Sequence, residues 1–118
     1  MIKGGRWQTE AVIYEIREYT TVPGRMPALV RRFNEHTLGL FQKYGMEVVF
    51  ISLTELGDNS NNELVYALRF DDLAEMERKW AGFQADPGWQ QARADSEVDG
   101  PIVARIQRRV TNPSRFEA

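Results

Sequence analysis

The 118-residue sequence contains no cysteine and a single histidine, His36. The first absence rules out disulfides, thiolate nucleophiles and sulfur-ligated metals. One imidazole is too few for a multi-histidine zinc site, although a mixed histidine and carboxylate site or a single axial haem ligand stays open. No apolar run approaches the ~18 residues of a membrane span, and Met1 to Trp7 lacks the apolar stretch of a signal peptide. A cytoplasmic protein with no membrane partner is the expectation. An excess of one charge is missing too. Fifteen Lys and Arg against 17 Asp and Glu give a formal charge of -2, spread without blocks, so a nucleic-acid partner is not expected. The only paired glycines are Gly4-Gly5, without phosphate-loop spacing. Ser52, Ser60, Ser96 and Ser114 lie in no nucleophile-elbow context, and with one histidine no triad can be argued.

What is present reads as one domain, long enough to bury a core. Residues 1–10 form an N-terminal leader with little periodicity, 11–111 the domain and 112–118 a C-terminal tail. Residues 11–20 alternate in strand fashion and end at Val22-Pro23-Gly24, which turns the chain. Pro27 starts a helix in which Met26, Leu29, Val30, Phe33, Thr37, Leu40, Phe41 and Tyr44 recur at spacings of three and four, before Gly45 stops it. Met46 to Thr54 predicts a strand, apolar enough on both sides to be covered on both faces. Residues 55–61 are loop by their Gly, Asp, Asn and Ser content, and Glu63 to Phe70 alternates as a third strand. Asp72 with Glu75 predicts a capped helix to about Ala85, with Leu73, Met76, Trp80 and Phe83 inward. Asp86-Pro87 caps a short helix carrying Trp89 and Ala92. Ile102 to Val110 is the last strand. The order βαββαβ predicts an α+β, ferredoxin-like antiparallel sheet with strands one and three central and both main helices on one face.

Along strand one, Val12, Tyr14 and Ile16 are expected to face the helices, joined from strand three by Leu64, Tyr66, Leu68 and Phe70. Ile13, Glu15, Arg17 and Tyr19 then fall on the other face with Val65, Ala67, Arg69, Arg105 and Arg109, and with Val49, Ile51 and Leu53. An apolar patch of that kind marks an interface. The expectation is a homodimer, or a higher homo-oligomer, in which two sheets close on each other into an α/β barrel.

The sequence resembles the NIPSNAP family in Tyr14-Glu15-Ile16-Arg17-Glu18-Tyr19 with Val22-Pro23-Gly24, then His36-Thr37, Leu40-Phe41 and Tyr44-Gly45-Met46. Glu55-Leu56-Gly57, Leu64-Val65-Tyr66, Asp86-Pro87 with Trp89, and Asn112-Pro113 come after these in order. The resemblance implies a dimeric α/β barrel of ferredoxin-like chains and no settled chemistry. One departure is Asn59-Ser60-Asn61-Asn62, which extends the usual short turn.

His36 is the one side chain whose ordinary pKa lies near neutrality and so the catalytic candidate, placed at the edge of the helical stripe near Phe33 and Leu40 and within reach of the gap between helix and sheet. A purely structural histidine is the alternative. Tyr14, Tyr19 and Tyr66 are phenols that could orient a polar ligand or simply be satisfied core tyrosines. Arg17, Arg69 and Arg105 could clamp a carboxylate or phosphate, or pair with Glu15, Glu18 or Glu63. Trp80, Trp89 and Phe83 either floor an apolar pocket or anchor the helices. Leu38, opposite the helical stripe, is expected at the surface. The candidate ligand set is therefore Tyr14, Arg17, Tyr19, His36, Tyr66 and Arg69, with no metal and no identified cofactor. Three functions are weighed: a dimeric small-molecule binder with its pocket between sheet and helices, a cofactor-independent or haem-linked monooxygenase-like enzyme, and a protein-interaction adaptor.

Overall fold

The computed structural model describes residues 12–116; the expected leader, 1–10, lies outside them. There are four strands, β1 (Ile13–Thr21), β2 (Glu47–Leu53), β3 (Glu63–Phe70) and β4 (Val103–Thr111), with helical segments between β1 and β2 and between β3 and β4, as the periodicity requires. The sheet order is β2-β3-β1-β4, with every neighbouring pair antiparallel. β1 and β3 are central, as the ferredoxin-like order demands.

The first helical segment is not one uniform helix. It runs α1 (Met26–Arg32), a π-helical turn (Phe33–Thr37) and α2 (Leu38–Lys43). The π turn inserts extra backbone into the ring and rotates α2 around the axis relative to α1. This explains two departures from a 100°-per-residue wheel. Leu38, expected outside, is half-buried and packs on the core, while His36, expected at the core edge, is exposed. Gly45, at φ +67°, takes the left-handed geometry that ends the segment.

α3 (Leu73–Ala85) opens on the expected cap. The Glu75 N–H donates to Asp72 Oδ1 at 2.8 Å, and Glu75 Oε1 accepts in return from the Asp71 N–H at 3.0 Å. Met76 and Phe83 are buried and Trp80 half-buried, whereas Leu73, expected inward, is 55% exposed because it sits in the first turn beyond the sheet's cover. α4 (Pro87–Ser96) is capped by Asp86, whose Oδ1 accepts from the Trp89 N–H at 3.1 Å. Its other oxygen accepts from Lys43 Nζ at 2.7 Å and Tyr44 Oη at 2.6 Å, so one carboxylate ties three helices together.

Two expectations about faces are corrected. Registers Ile13↔Phe70, Glu15↔Leu68, Arg17↔Tyr66 and Tyr19↔Leu64 put Ile13, Glu15, Arg17 and Tyr19 on the helix-facing side. Tyr14, Ile16 and Glu18 face away with Val65, Ala67 and Arg69. Charge pointed to the opposite phase, since ionised groups normally stay in water. Here the network of partners around Glu15 offsets the desolvation. β2 is also not covered on both faces. It is an edge strand with a bulge between Val48 and Phe50, and Val49, Phe50 and Leu53 are each nearly half exposed. Of β2, Val48, Ile51 and Leu53 pair with Leu68, Tyr66 and Leu64, so Ile51 and Leu53 belong to the helix side rather than the open face.

The core between sheet and helices is aromatic. Phe41, Tyr66, Phe70 and Phe83 are essentially fully buried with Leu29, Leu64, Leu68 and Ile102. Ring pairs run from Tyr19 through Phe33, Tyr66 and Phe41 to Phe83 and Trp89, edge-on at the Tyr19 end and tilted toward Trp89, at centroid distances of 5.0–6.5 Å, the spacing at which ring quadrupoles attract. Gly82 lets this layer close: a Cβ there would fall 2.9 Å from Cδ1 of Tyr44.

Candidate functional site

A cavity of about 440 Å³ lies between the helix-facing side of the sheet and the helices. Its floor is Arg17, Tyr19 and Tyr66 from the two central strands. Phe33 and Thr37 reach it from the π turn, and Trp80, Phe83 and Trp89 from α3 and α4. Arg32, Arg93 and Glu97 border one side, and Pro101 with residues 103–106, the candidate Arg105 among them, the other.

At the base is Glu15, a carboxylate with no exposed surface. It accepts from Trp80 Nε1 at 2.6 Å and forms ion pairs with Arg17 Nη1 at 3.2 Å and Arg108 Nε at 2.7 Å. Three donors on one buried carboxylate explain how a charge survives under the helices. Arg17 in turn lies 4.5 Å from the Trp80 ring centroid, a cation over an indole face. Its Nε and Nη2 donate to Tyr19 Oη at 3.3 and 3.2 Å, and Tyr19 Oη lies 2.9 Å from Tyr66 Oη.

Either phenol can donate to the other, so the pair uses one O–H between its two oxygens and keeps the second to donate. Burial pushes the Tyr66 phenol well above its ordinary pKa, with Tyr19 adding to the shift and Arg17 opposing it. Burial works against the Arg17 charge, but Tyr66, Tyr19 and Glu15 outweigh it and raise its pKa. At neutral pH the floor thus presents a fixed guanidinium and a neutral phenol.

The structure brings Arg17, Tyr19 and Tyr66 together and separates the other sequence candidates from them. Tyr14 and Arg69 are cross-strand partners on the open face of the sheet, where Arg69 pairs with Asp71 at 3.3 Å and Glu47 at 3.8 Å. His36 does not reach the gap between helix and sheet. It is exposed and borders a separate shallow groove with Arg25, Arg31 and Asp95, because the π turn carries it outward. The tryptophans serve both readings offered for them, anchoring α3 and α4 while lining the cavity. Arg32 is absent from the sequence candidates. It is 6% exposed, and its place three residues after Leu29, itself three after Met26, is the signal that would have found an inward arginine. Among the described residues no three His, Asp or Glu side chains converge as metal ligands would, and no helix is long and apolar enough to cross a membrane.

Fold and cavity together define a ferredoxin-like α+β domain with a ligand-sized chamber between its sheet and its helices. The chain belongs to the NIPSNAP family, whose profile matches residues 14–117. Its structure is similar to that of an uncharacterized NIPSNAP-like domain protein from Burkholderia xenovorans, with a TM-score of 0.79 and 21% identity over 92% of this chain and 90% of the other. A NIPSNAP family protein of unknown function from Agrobacterium tumefaciens gives a TM-score of 0.77 and 24% identity, covering 92% and 93% of the two chains. More distantly, SnoaB, a cofactor-independent oxygenase from Streptomyces nogalater, shares the fold at a TM-score of 0.55 and 15% identity, over 86% and 91%. No curated protein matches the sequence.

Proposed function

We propose that this protein binds a small molecule with an apolar body in the chamber between sheet and helices. The observation that carries this is the floor. The Tyr19–Tyr66 phenol pair has one O–H more than it can use between its two oxygens, at the base of a 440 Å³ cavity walled by Phe33, Phe83 and Trp89. Ligand chambers combine such apolar walls with a few convergent polar groups. The arrangement suits holding an acceptor in place. A fixed guanidinium and a phenol raised in pKa are poorly matched to proton transfer at neutral pH, which favours binding over the monooxygenase-like alternative. Thermal unfolding with increasing 2-naphthalenemethanol or 2-naphthoate tests the reading, because a ligand of the folded state alone raises the midpoint with its concentration. The midpoint is expected to rise in the wild type and to respond less in Ala104→Tyr, which crowds the cavity edge. A midpoint indifferent to both compounds at millimolar concentration contradicts the proposal.

The second reading concerns assembly. Tyr14, Ile16, Val65 and the half-exposed Phe50 form an apolar strip on the open face. It is flanked by both signs of charge, in the pairs Glu18–Arg109 at 2.6 Å and Glu47–Arg69. A strip that carries its own counter-charges is complementary to a second copy of itself, which favours a homodimer over an unlike partner.

A further inference from the structure

Resting on the chamber reading above, we infer that its ligand is a carboxylate and that the Nε–Nη2 edge of Arg32 is the seat of the carboxylate group. Arg32 is buried, lies between the cavity and the groove beside His36, bordering both, and has its guanidinium carbon 5.4 Å from the Trp89 ring centroid on the cavity side. Its Nη1 is spoken for, donating to Ser96 Oγ at 3.2 Å and Glu97 Oε2 at 3.0 Å. Its Nε is buried without an acceptor, alone in this among the side-chain nitrogens and oxygens of the described residues. Nη2 makes no hydrogen bond with any described residue either. The Nε and Nη2 hydrogens are parallel and spaced to match the two oxygens of a carboxylate, so the free edge is a bidentate fork.

The balance of the rest of the cavity points the same way. Arg17, Arg32, Arg93 and Arg105 contribute four positive charges, and Glu97 the one carboxylate on the lining, already paired with Arg32 and Arg93. The Tyr19–Tyr66 pair adds a further donor. Positive charge is in surplus, and the buried Arg32 N–H left unpaired costs stability until a ligand supplies the oxygen. Glu97 and Ser96 already occupy Nη1, so what remains free on this guanidinium is one two-donor edge, the footprint of a single planar carboxylate rather than of the three oxygens of a phosphate. The aromatic walls then take a ring or acyl body.

Calorimetric titration with 2-naphthoate, 2-naphthalenemethanol and 2-naphthyl phosphate separates the possibilities. A charge-assisted fork is worth about tenfold or more in affinity, so the acid is expected to bind more tightly than the alcohol by that factor and more tightly than the phosphate. Arg32→Gln is expected to collapse the gap between acid and alcohol, with Arg32→Lys in between because charge is kept and the fork is lost. Should the variants fail to fold, the arginine Nε–Hε resonances of the wild type give the same answer: one of them is expected to move with 2-naphthoate and stay put with the alcohol. Equal binding of acid and alcohol, or tighter binding of the phosphate, overturns the carboxylate seat and leaves the chamber standing. No binding of any of the three overturns both.

Discussion

Two carboxylates carry this structure residue by residue, and they do so differently. Glu15 is stabilised by direct bonds from three elements, and its removal leaves Arg17 without a counter-charge under the helices. Breaking a buried pair from one side costs about 3 kcal/mol. Glu15→Leu is therefore expected to destabilise by roughly that amount in urea unfolding, and Glu15→Gln by less, since its amide oxygen still accepts from Trp80. Asp86 acts through protonation. Hydrogen bonds from Lys43, Tyr44 and the Trp89 N–H, in that order of effect, hold its carboxyl well below the ordinary range. A depressed folded-state pKa contributes stability that is complete above the unfolded value, about pH 4, and is lost as pH falls through the folded one. The difference in melting temperature between wild type and Asp86→Asn should hold level from neutrality to about pH 4 and shrink below it. Asparagine keeps the cap through its one oxygen and loses the charge together with the second oxygen that accepts from Lys43 and Tyr44.

Among the elements, α3 and the π turn show where packing overrides local preference. Alanine is better than glycine inside a helix by about 1 kcal/mol, yet Gly82→Ala is expected to lower the melting temperature in calorimetry. The added methyl meets the Tyr44 ring, and moving that ring loosens its bond to Asp86. The elements themselves are legible from the sequence, because apolar spacing, the Asp72–Glu75 cap and the Pro and Gly punctuation all agree. The strand phase of β1 is not. Tyr14 and Ile16 look like core, and Glu15 and Arg17 look like surface, until Trp80 from sixty-five residues away and Arg108 from β4 supply the bonds that let the charges go inside. No local pattern carries that information. The same holds for the site: Arg17, Tyr19 and Tyr66 can be picked out as residue types on the two central strands, while Arg32 escapes notice and His36 is misplaced because nothing in the spacing of 33–37 announces a π turn. Sequence rules fail here around the cavity, where buried charges and a π turn depart from the simplest packing of helix on sheet.

At the scale of the whole molecule, the sheet separates two different surfaces. The helix side borders the cavity, and the open side carries the apolar strip of Tyr14, Ile16, Phe50 and Val65. Sedimentation equilibrium at micromolar concentration is expected to show a dimer for the wild type and a monomer for Phe50→Lys combined with Val65→Glu, which place charges in the middle of the strip. A wild type that stays monomeric would remove the barrel and leave the chamber, which one chain builds by itself. Whether that chamber is where ligand goes is tested most directly by isotope-filtered NOE spectroscopy on the protein with 2-naphthoate. The account expects cross-peaks from the naphthyl protons to the rings of Phe33, Tyr66 and Trp89; cross-peaks confined to Tyr14, Phe50 and Val65 on the open face, or none at all, would contradict it.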